Sequence, residues 1–158
     1  KGAQVARITE KNLRDVIEIR TVLEEFAAVL ACERIDQSGL HDLRQAHEDF
    51  IRSVENGDIL DIVHKDETFH DTNFRATNND RLISINNNLR EQFYRYRMEY
   101  LKEPGTHKLL LKEHEAIYSA LKKHDKAEAG SAIRIHIENQ RRSIISSLRD
   151  AGRITEQV

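Results

Sequence analysis

The sequence predicts an all-α domain, folded as an antiparallel bundle of about six helices. Three observations predict this class. The 158 residues include only six Gly and one Pro, 33% of them are charged, and apolar residues recur at steps of three and four along most of the chain. Few chain breakers and many charges are typical of long amphipathic helices joined by short connections.

The composition also excludes several classes of protein. The net charge of −2 argues against a chain that binds nucleic acid by itself, because such domains carry a basic excess. No apolar run has the length of a membrane span, and no signal peptide opens the sequence. The lone Cys32 excludes an internal disulfide framework and favours a reducing cytoplasm.

The first half of the chain predicts three helices. Thr9 is a candidate N-cap for a helix over about residues 10–35, which Gly39 is expected to end. A second helix follows and stops at Gly57, where glycine can adopt a left-handed conformation. Asp58 is then the candidate cap of a third helix that reaches Phe74.

The second half predicts three more helices. The polar cluster at 77–80 opens a long fourth helix, which Pro104 and Gly105 end. A fifth helix begins at about Thr106, and a sixth follows a break at His124 and Asp125. We therefore expect one helical domain over 9–150 and a polar tail over 151–158.

Four side chains form a candidate metal site. Asp66 and His70 are four residues apart on one face of the third helix, although an ordinary ion pair would show the same spacing. His114 and His136 each lie on the apolar stripe of another helix, where a single histidine is usually a core residue. Helices of one bundle can direct all four side chains at one interior point, so we predict a mononuclear site.

Three imidazoles and one carboxylate suit a divalent transition metal ion, with zinc ranked first and nickel, iron or manganese as alternatives. Arg20, at the edge of the first apolar stripe, offers a planar fork that matches a carboxylate, although a pair with Glu24 explains it nearly as well. Asn86 faces inward, where a core hydrogen bond is a better interpretation than a ligand contact. His47 is assigned to the core, whereas the remaining histidines are expected to be solvated: His41, His64, His107 and His124.

Several blocks of sequence resemble the FadR C-terminal domain (FCD), the effector-sensing half of one subfamily of GntR bacterial transcription regulators. The blocks follow the family's order over about residues 8–148. They are Arg20-x-x-Leu23-Glu24-x-x-Ala27-Ala28-x-Leu30-Ala31, Asp66-x-x-x-Phe69-His70, Asn79-x-x-Leu82, Glu113-His114-x-x-Ile117 with Ala120, Asp125-x-x-x-Ala129 and His136-Ile137.

The resemblance implies the metal-binding branch of that family, with Asp66, His70, His114 and His136 as the ligands. It implies that Arg20 and the ion hold a small organic acid, that the domain forms a homodimer and that it is not an enzyme. DNA binding would belong to a winged helix-turn-helix that is absent from this chain, and residues 1–8 resemble the end of that domain's wing and the linker. We therefore expect a sensor domain without its DNA reader.

Two other functions stay open on the residues alone. A site of three histidines and one carboxylate with free coordination positions would also suit a mononuclear metalloenzyme, such as a lyase or hydrolase acting on a small carboxylate. A helical dimerisation module whose buried polar residues are merely structural is the third possibility.

Overall fold

The computed structural model describes residues 8–153, which form seven α-helices and one 3-10 turn and contain no strand. The all-α class is therefore confirmed. The helices are α1 (Glu10–Arg34), α2 (Gln37–Asn56), α3 (Ile59–Ala76), α4 (Asp80–Asn88), α5 (Arg90–Leu101), α6 (His107–Lys122) and α7 (Lys126–Asp150), with the 3-10 turn at Pro104–Thr106. The expected wing and linker at 1–8, apart from Ile8, and the tail beyond Arg153 lie outside the described residues.

Side-chain caps begin most of these helices. The Thr9 side chain accepts a hydrogen bond from the backbone N–H of Asn12, and Asp58 caps α3 in the same way through Leu60. Gly57 ends α2 with a φ of 76°, a conformation that costs other residues energy. The end of α2 and the beginning of α3 are therefore explained by the residues that predicted them.

The prediction that Gly39 ends the first helix is wrong. The chain turns earlier, at Ile35, which is extended, and Asp36 then caps α2 by accepting a hydrogen bond from the backbone N–H of Gly39. Gly39 thus lies in the first turn of α2. Its small size is used there, because an added Cβ would come within 2.9 Å of the Ile35 side chain.

The predicted fourth helix is two helices, α4 and α5, joined at Leu89. The backbone N–H of Leu89 bonds to the carbonyl of Asn86, a tight i to i+3 closure instead of an α-helical bond. Three consecutive asparagines precede this joint, and their amides compete with the backbone for hydrogen bonds. The break directs α5 along α3, where Arg90 forms ion pairs with Glu67 and Asp71.

The main hydrophobic core lies between α1, α2, α3, α5, α6 and α7, with α1 packing mainly along α7 and α2 along α3. Its large members include Leu13, Phe50 and Phe69, all fully buried. A smaller cluster of Ala27, Phe74 and Leu82 joins α1, α3 and α4. Within residues 8–153, no helix combines the length and the apolar character needed to cross a bilayer.

The surface of α1 near the smaller cluster is apolar. Ile19, Val22 and Phe26 are 52%, 66% and 50% exposed, and Ile85 of the neighbouring α4 is 47% exposed. We call these four residues the outer patch. Single exposed apolar residues are ordinary, but three of these share one face of α1, and α1 contacts the helix that carries the fourth.

Candidate metal centre

Three histidines from three helices meet in the interior of the bundle. His70 of α3, His114 of α6 and His136 of α7 are buried, and one ring nitrogen of each lies within 4.8 Å of those of the others. The closest approach is 3.1 Å, between the Nε2 atoms of His70 and His136. The predicted convergence of these helices is therefore present in the fold.

The other ring nitrogens of two histidines face carboxylates. Nδ1 of His136 lies 2.7 Å from Oε2 of Glu113 and donates to it. Nδ1 of His70 lies 2.9 Å from Oε2 of Glu24. A carboxylate accepts and does not donate, so Nδ1 of each ring carries a proton, and Nε2 is the ring nitrogen that faces the cluster.

When both rings are neutral with the proton on Nδ1, their two Nε2 lone pairs face each other at 3.1 Å and repel unless a proton or a metal ion lies between them. The side-chain amide of Gln140 can donate to His136, whose Nε2 lies 3.2 Å from its Nε2. A metal ion that accepts both lone pairs would remove the repulsion. This arrangement of donors fits a metal ion, with the two glutamates as the outer partners that metal-bound histidines usually have.

His114 is held by aromatic packing. Its ring stacks on Phe69 with centroids 4.0 Å apart and tilts against Phe50 at 4.7 Å. Burial lowers the pKa of His114 to about 3, against the opposing effect of Asp66, so the ring is neutral at pH 7. Burial also lowers the pKa of His136, with Glu113 opposing. Neutral imidazoles are the form that binds metal.

Asp66 completes the group from α3. Its Oδ1 lies 3.0 Å from Nε2 of His114 and 3.7 Å from Nε2 of His70, and among the described residues neither Oδ1 nor that His114 atom has a hydrogen-bond partner. Burial by itself would raise the pKa of Asp66, but His70, His114 and Arg97 hold it well below its usual value. The carboxylate is therefore ionised, with Oδ1 turned toward the imidazoles.

Arg97 of α5 contacts the opposite side of this carboxylate. Its Nε lies 2.6 Å from Oδ2 of Asp66, and the side chain is buried. An unpaired buried carboxylate would be costly, so Arg97 provides the charge that keeps Asp66 ionised inside the bundle. Oδ2 faces this cation, which leaves Oδ1 as the oxygen available to a metal.

Arg20 of α1 lies beside the histidine cluster and is only 1% exposed. Its Nε donates to Oε1 of Glu24 over 2.9 Å, and its Nη1 donates to the side-chain oxygen of Gln140. The predicted pair with Glu24 is therefore present. Its Nη2 is buried and has no hydrogen-bond partner in residues 8–153, so one edge of the guanidinium is left for another acceptor.

Glu24 remains ionised despite its burial. Burial would raise the pKa of this carboxyl, but Arg20 and His70 together lower it far below its usual value. The two oxygens of Glu24 thus face a guanidinium on one side and an imidazole on the other.

Sequence reasoning missed three functional-site residues: Arg97, Glu113 and Gln140. All three lie on the apolar stripes that located the other residues, since Arg97 is four residues after Phe93, Glu113 three after Leu110 and Gln140 four after His136. A charged or amide side chain on such a stripe needs a buried partner, and that was the available signal.

The other predicted polar residues lie outside the cluster. Asn86 is buried and donates to Oδ1 of Asp71, the core hydrogen bond that was expected. His47 is buried, with Nε2 3.1 Å from Oε2 of Glu115. Three histidines are exposed as expected: His41, His64 and His124. The expectation that His107 is solvated is wrong, because its ring is half-buried with Nε2 2.6 Å from the carbonyl oxygen of Leu101.

Comparison with known proteins gives a family. The family model described as the FCD domain matches residues 15–139. The HTH-type transcriptional regulator YdhC of Bacillus subtilis is 23% identical over 141 residues, which cover 87% of this chain and 62% of that protein. The chain therefore spans under two thirds of the length of this curated relative.

Solved structures share the fold. The metal-free FCD domain of TM0439 superposes with a TM-score of 0.76 at 19% identity, covering 92% of this chain and 99% of that one. McbR/YncC of E. coli gives 0.74 at 20% identity, covering 85% and 68%. The Streptococcus agalactiae GntR gives 0.68 at 23% identity, covering 84% and 59%.

The expectation that the chain is not an enzyme is confirmed, because these relatives are transcription regulators. The family match covers well over half of the sequence. The chain belongs to the FCD domain family, and the relatives it matches include transcription regulators of the GntR type.

Proposed function

We propose that this domain senses a small organic acid through a mononuclear metal site and thereby controls the DNA binding of a GntR-type regulator. The observation that carries the proposal is the convergence of three buried histidines, one ring nitrogen of each lying within 4.8 Å of those of the others, with Oδ1 of Asp66 3.0 Å from Nε2 of His114. Buried imidazole nitrogens that converge beside a carboxylate form a donor set that a divalent transition metal ion binds.

The proposed metal ligands are Asp66, His70, His114 and His136. Three imidazoles and one carboxylate favour zinc, with nickel, iron or manganese as alternatives. When bound, such an ion supplies Lewis acidity and open coordination positions to an oxygen ligand. Asp66, held by Arg97, would contribute the charge of the donor set, and the stacked His114 would contribute a rigid position.

Arg20 is the proposed effector-binding residue. It is buried beside the histidines, and its Nη2 is free of partners within the described part of the chain. A guanidinium in this state forms strong, directional hydrogen bonds with a carboxylate. Gln140 already occupies Nη1, so a small acid would take the remaining edge or displace Gln140.

The regulator is proposed to act in the cytoplasm as a homodimer through the outer patch of Ile19, Val22, Phe26 and Ile85. The apolar surface on α1 and α4 suits a second copy of itself, because a two-fold axis pairs like with like. Arg20 lies on the same helix, so a shift of α1 on acid binding would reach the subunit contact. Such a ligand changes DNA affinity only by its differential affinity for the two arrangements. DNA itself would be bound by a winged helix-turn-helix outside residues 1–158.

Metal loading tests the site directly. The protein is reconstituted with Zn²⁺ and the bound metal is measured by native mass spectrometry, followed by melting curves with acetate, lactate or citrate. We expect His114→Ala with His136→Ala to abolish both metal uptake and the acid-induced rise in Tm. The matched control, His41→Ala with His64→Ala, removes two exposed histidines and should change neither. Metal uptake that survives the first double substitution would contradict the proposed site.

A further inference from the structure

We propose that Glu24 is a positioning residue for both halves of the site: it orients His70 for the metal and Arg20 for the acid. This inference rests on the proposed function. Glu24 is 3% exposed, and its two oxygens have different neighbours. Oε1 accepts from Nε of Arg20 over 2.9 Å, and Oε2 lies 2.9 Å from Nδ1 of His70.

The His70 side of this contact selects the tautomer of the ring. An acceptor beside Nδ1 favours the tautomer with the proton on Nδ1, which leaves Nε2 free to bind a metal. Without that acceptor, the proton could move to Nε2 and block the ligand atom. The carboxylate of Glu24 therefore sets which nitrogen of His70 faces the cluster.

The Arg20 side of the contact fixes the guanidinium. Nε is held by Glu24 and Nη1 by Gln140, so the plane of the fork is defined at two points while Nη2 remains without a partner among residues 8–153. Long arginine side chains lose rotamer entropy when they bind a ligand, and a guanidinium that is already held loses less. Glu24 therefore preorganises the group that is proposed to bind acid.

Glu113 provides the comparison that isolates this double role. Like Glu24 it is a buried carboxylate beside a histidine of the cluster, with Oε2 2.7 Å from Nδ1 of His136. Its other oxygen accepts from the amide of Asn139, not from Arg20. Loss of Glu113 should therefore affect the metal alone, whereas loss of Glu24 should affect metal and acid.

The test uses Glu24→Leu and Glu113→Leu in the whole chain, because leucine offers no acceptor and has similar bulk. Co²⁺ affinity is measured by chelator competition, with the visible absorption spectrum as a report on ligand geometry. Acetate affinity is then measured on the Co²⁺-loaded protein. We expect both variants to bind Co²⁺ about 10–100-fold more weakly than the unmodified protein. Only Glu24→Leu should also weaken acetate binding, by about tenfold or more.

Three results would overturn the inference: unchanged Co²⁺ affinity in Glu24→Leu, unchanged acetate affinity in that variant, or an equal loss of acetate affinity in both variants. Circular dichroism and a cooperative melt establish that each variant is folded. If the unmodified protein binds no metal, the proposed function itself fails. If the unmodified protein binds metal and Glu24→Leu binds it equally well, only the inference about Glu24 fails.

Nuclear magnetic resonance of the unmodified, Zn²⁺-loaded protein tests the same contacts without a substitution. The Nδ1–H protons of His70 and His136 should exchange slowly with water and resonate downfield, since each faces a carboxylate. His114 is the internal control, because its Nδ1 has no partner in the described chain. A His70 proton that behaves like that of His114 would contradict the role of Glu24.

Discussion

The two faces of α1 reverse the usual distribution of polarity: charged side chains lie on the buried face and apolar side chains on the exposed face. The inner face buries Arg20 and Glu24, which are 1% and 3% exposed. The outer face exposes Val22 and Phe26, at 66% and 50%. Charged groups thus lie in the core and apolar groups lie in water, along one continuous helix.

Each face is costly in the isolated domain, and on the proposed function each face has a binding partner. The inner charges need partners because burial penalises unpaired ions, and they find them in each other, in His70 and in Gln140. The outer apolar groups gain free energy when a second surface covers them. On the proposed function, residues of the inner face serve the ligand site and residues of the outer face serve a subunit contact. Substitutions on each face test this difference.

The largest effect on stability is expected on the inner face. Arg20→Ala leaves the buried Glu24 with His70 alone and removes the donor to Gln140, so we expect the free energy of unfolding to fall by about 3–5 kcal/mol. Urea denaturation of the metal-free protein measures this loss. Arg14→Ala, at an exposed position of the same helix, should change it by less than about 0.5 kcal/mol. Equal losses in the two variants would contradict the distinction between faces.

An intermediate effect on the free energy of unfolding is expected from a change of pH. It comes from the buried histidines that the inner face of α1 adjoins. The pKa of His114 is about 3 in the folded protein and that of His136 is also lowered, so the unfolded chain takes up protons first as the pH falls below about 6.5. Metal-free stability should therefore decrease between about pH 6.5 and 3, by at most about 1.4 kcal/mol per pH unit for each histidine.

Chemical denaturation at a series of pH values measures this slope. The lowered pKa of Glu24 adds a loss in the same direction below about pH 4.5, since its folded value also lies under its unfolded one. Phe26→Ser, on the outer face, should leave the slope unchanged. A stability that is constant from pH 7 to 5 would contradict the neutral, buried state of His114.

The smallest effect on the folded chain, but the largest on assembly, is expected from Phe26→Ser. The ring is half exposed, so the domain should lose only about 1 kcal/mol of stability. Sedimentation should show the dimer dissociation constant rising at least tenfold, because an aromatic anchor of the outer patch is lost. Ile135→Ser, at a similarly exposed position of α7, should leave it unchanged. A dimer that Phe26→Ser leaves unchanged, or monomers in all three proteins, would contradict a subunit contact through the outer patch.

Much of the fold could be predicted because its signals are local. Caps such as Asp58 and the glycine at 57 act through neighbouring residues, and the helical periodicity identified every long element. The two errors have a tertiary or competitive origin. Gly39 was expected to separate the first two helices, but Asp36 already caps α2 three residues before it. The asparagines before Leu89 divide the predicted fourth helix into two.

The site was predicted less completely than the fold. His114 and His136 were identified because a polar residue on an apolar stripe is conspicuous. Glu113 and Gln140 carry the same signal but act through another side chain, and no spacing within one helix indicates which residue of another helix they will meet. Arg97 depended in addition on the break at Leu89, which sets the direction of α5. Contacts between helices therefore had to come from the structure.

The buried charges around the histidines also define the ionic state in which the site is balanced. Three carboxylates (Asp66, Glu24 and Glu113) and two guanidiniums (Arg20 and Arg97) lie in the interior, so the protein alone holds one excess negative charge there when the histidines are counted as neutral. A divalent ion would turn that excess into one positive charge. A single carboxylate group would then make the interior electrically neutral, whereas the second charge of a dicarboxylate would have to reach solvent or another cation. On the proposed function, the bundle is most nearly neutral when it holds one metal ion and one monoanion.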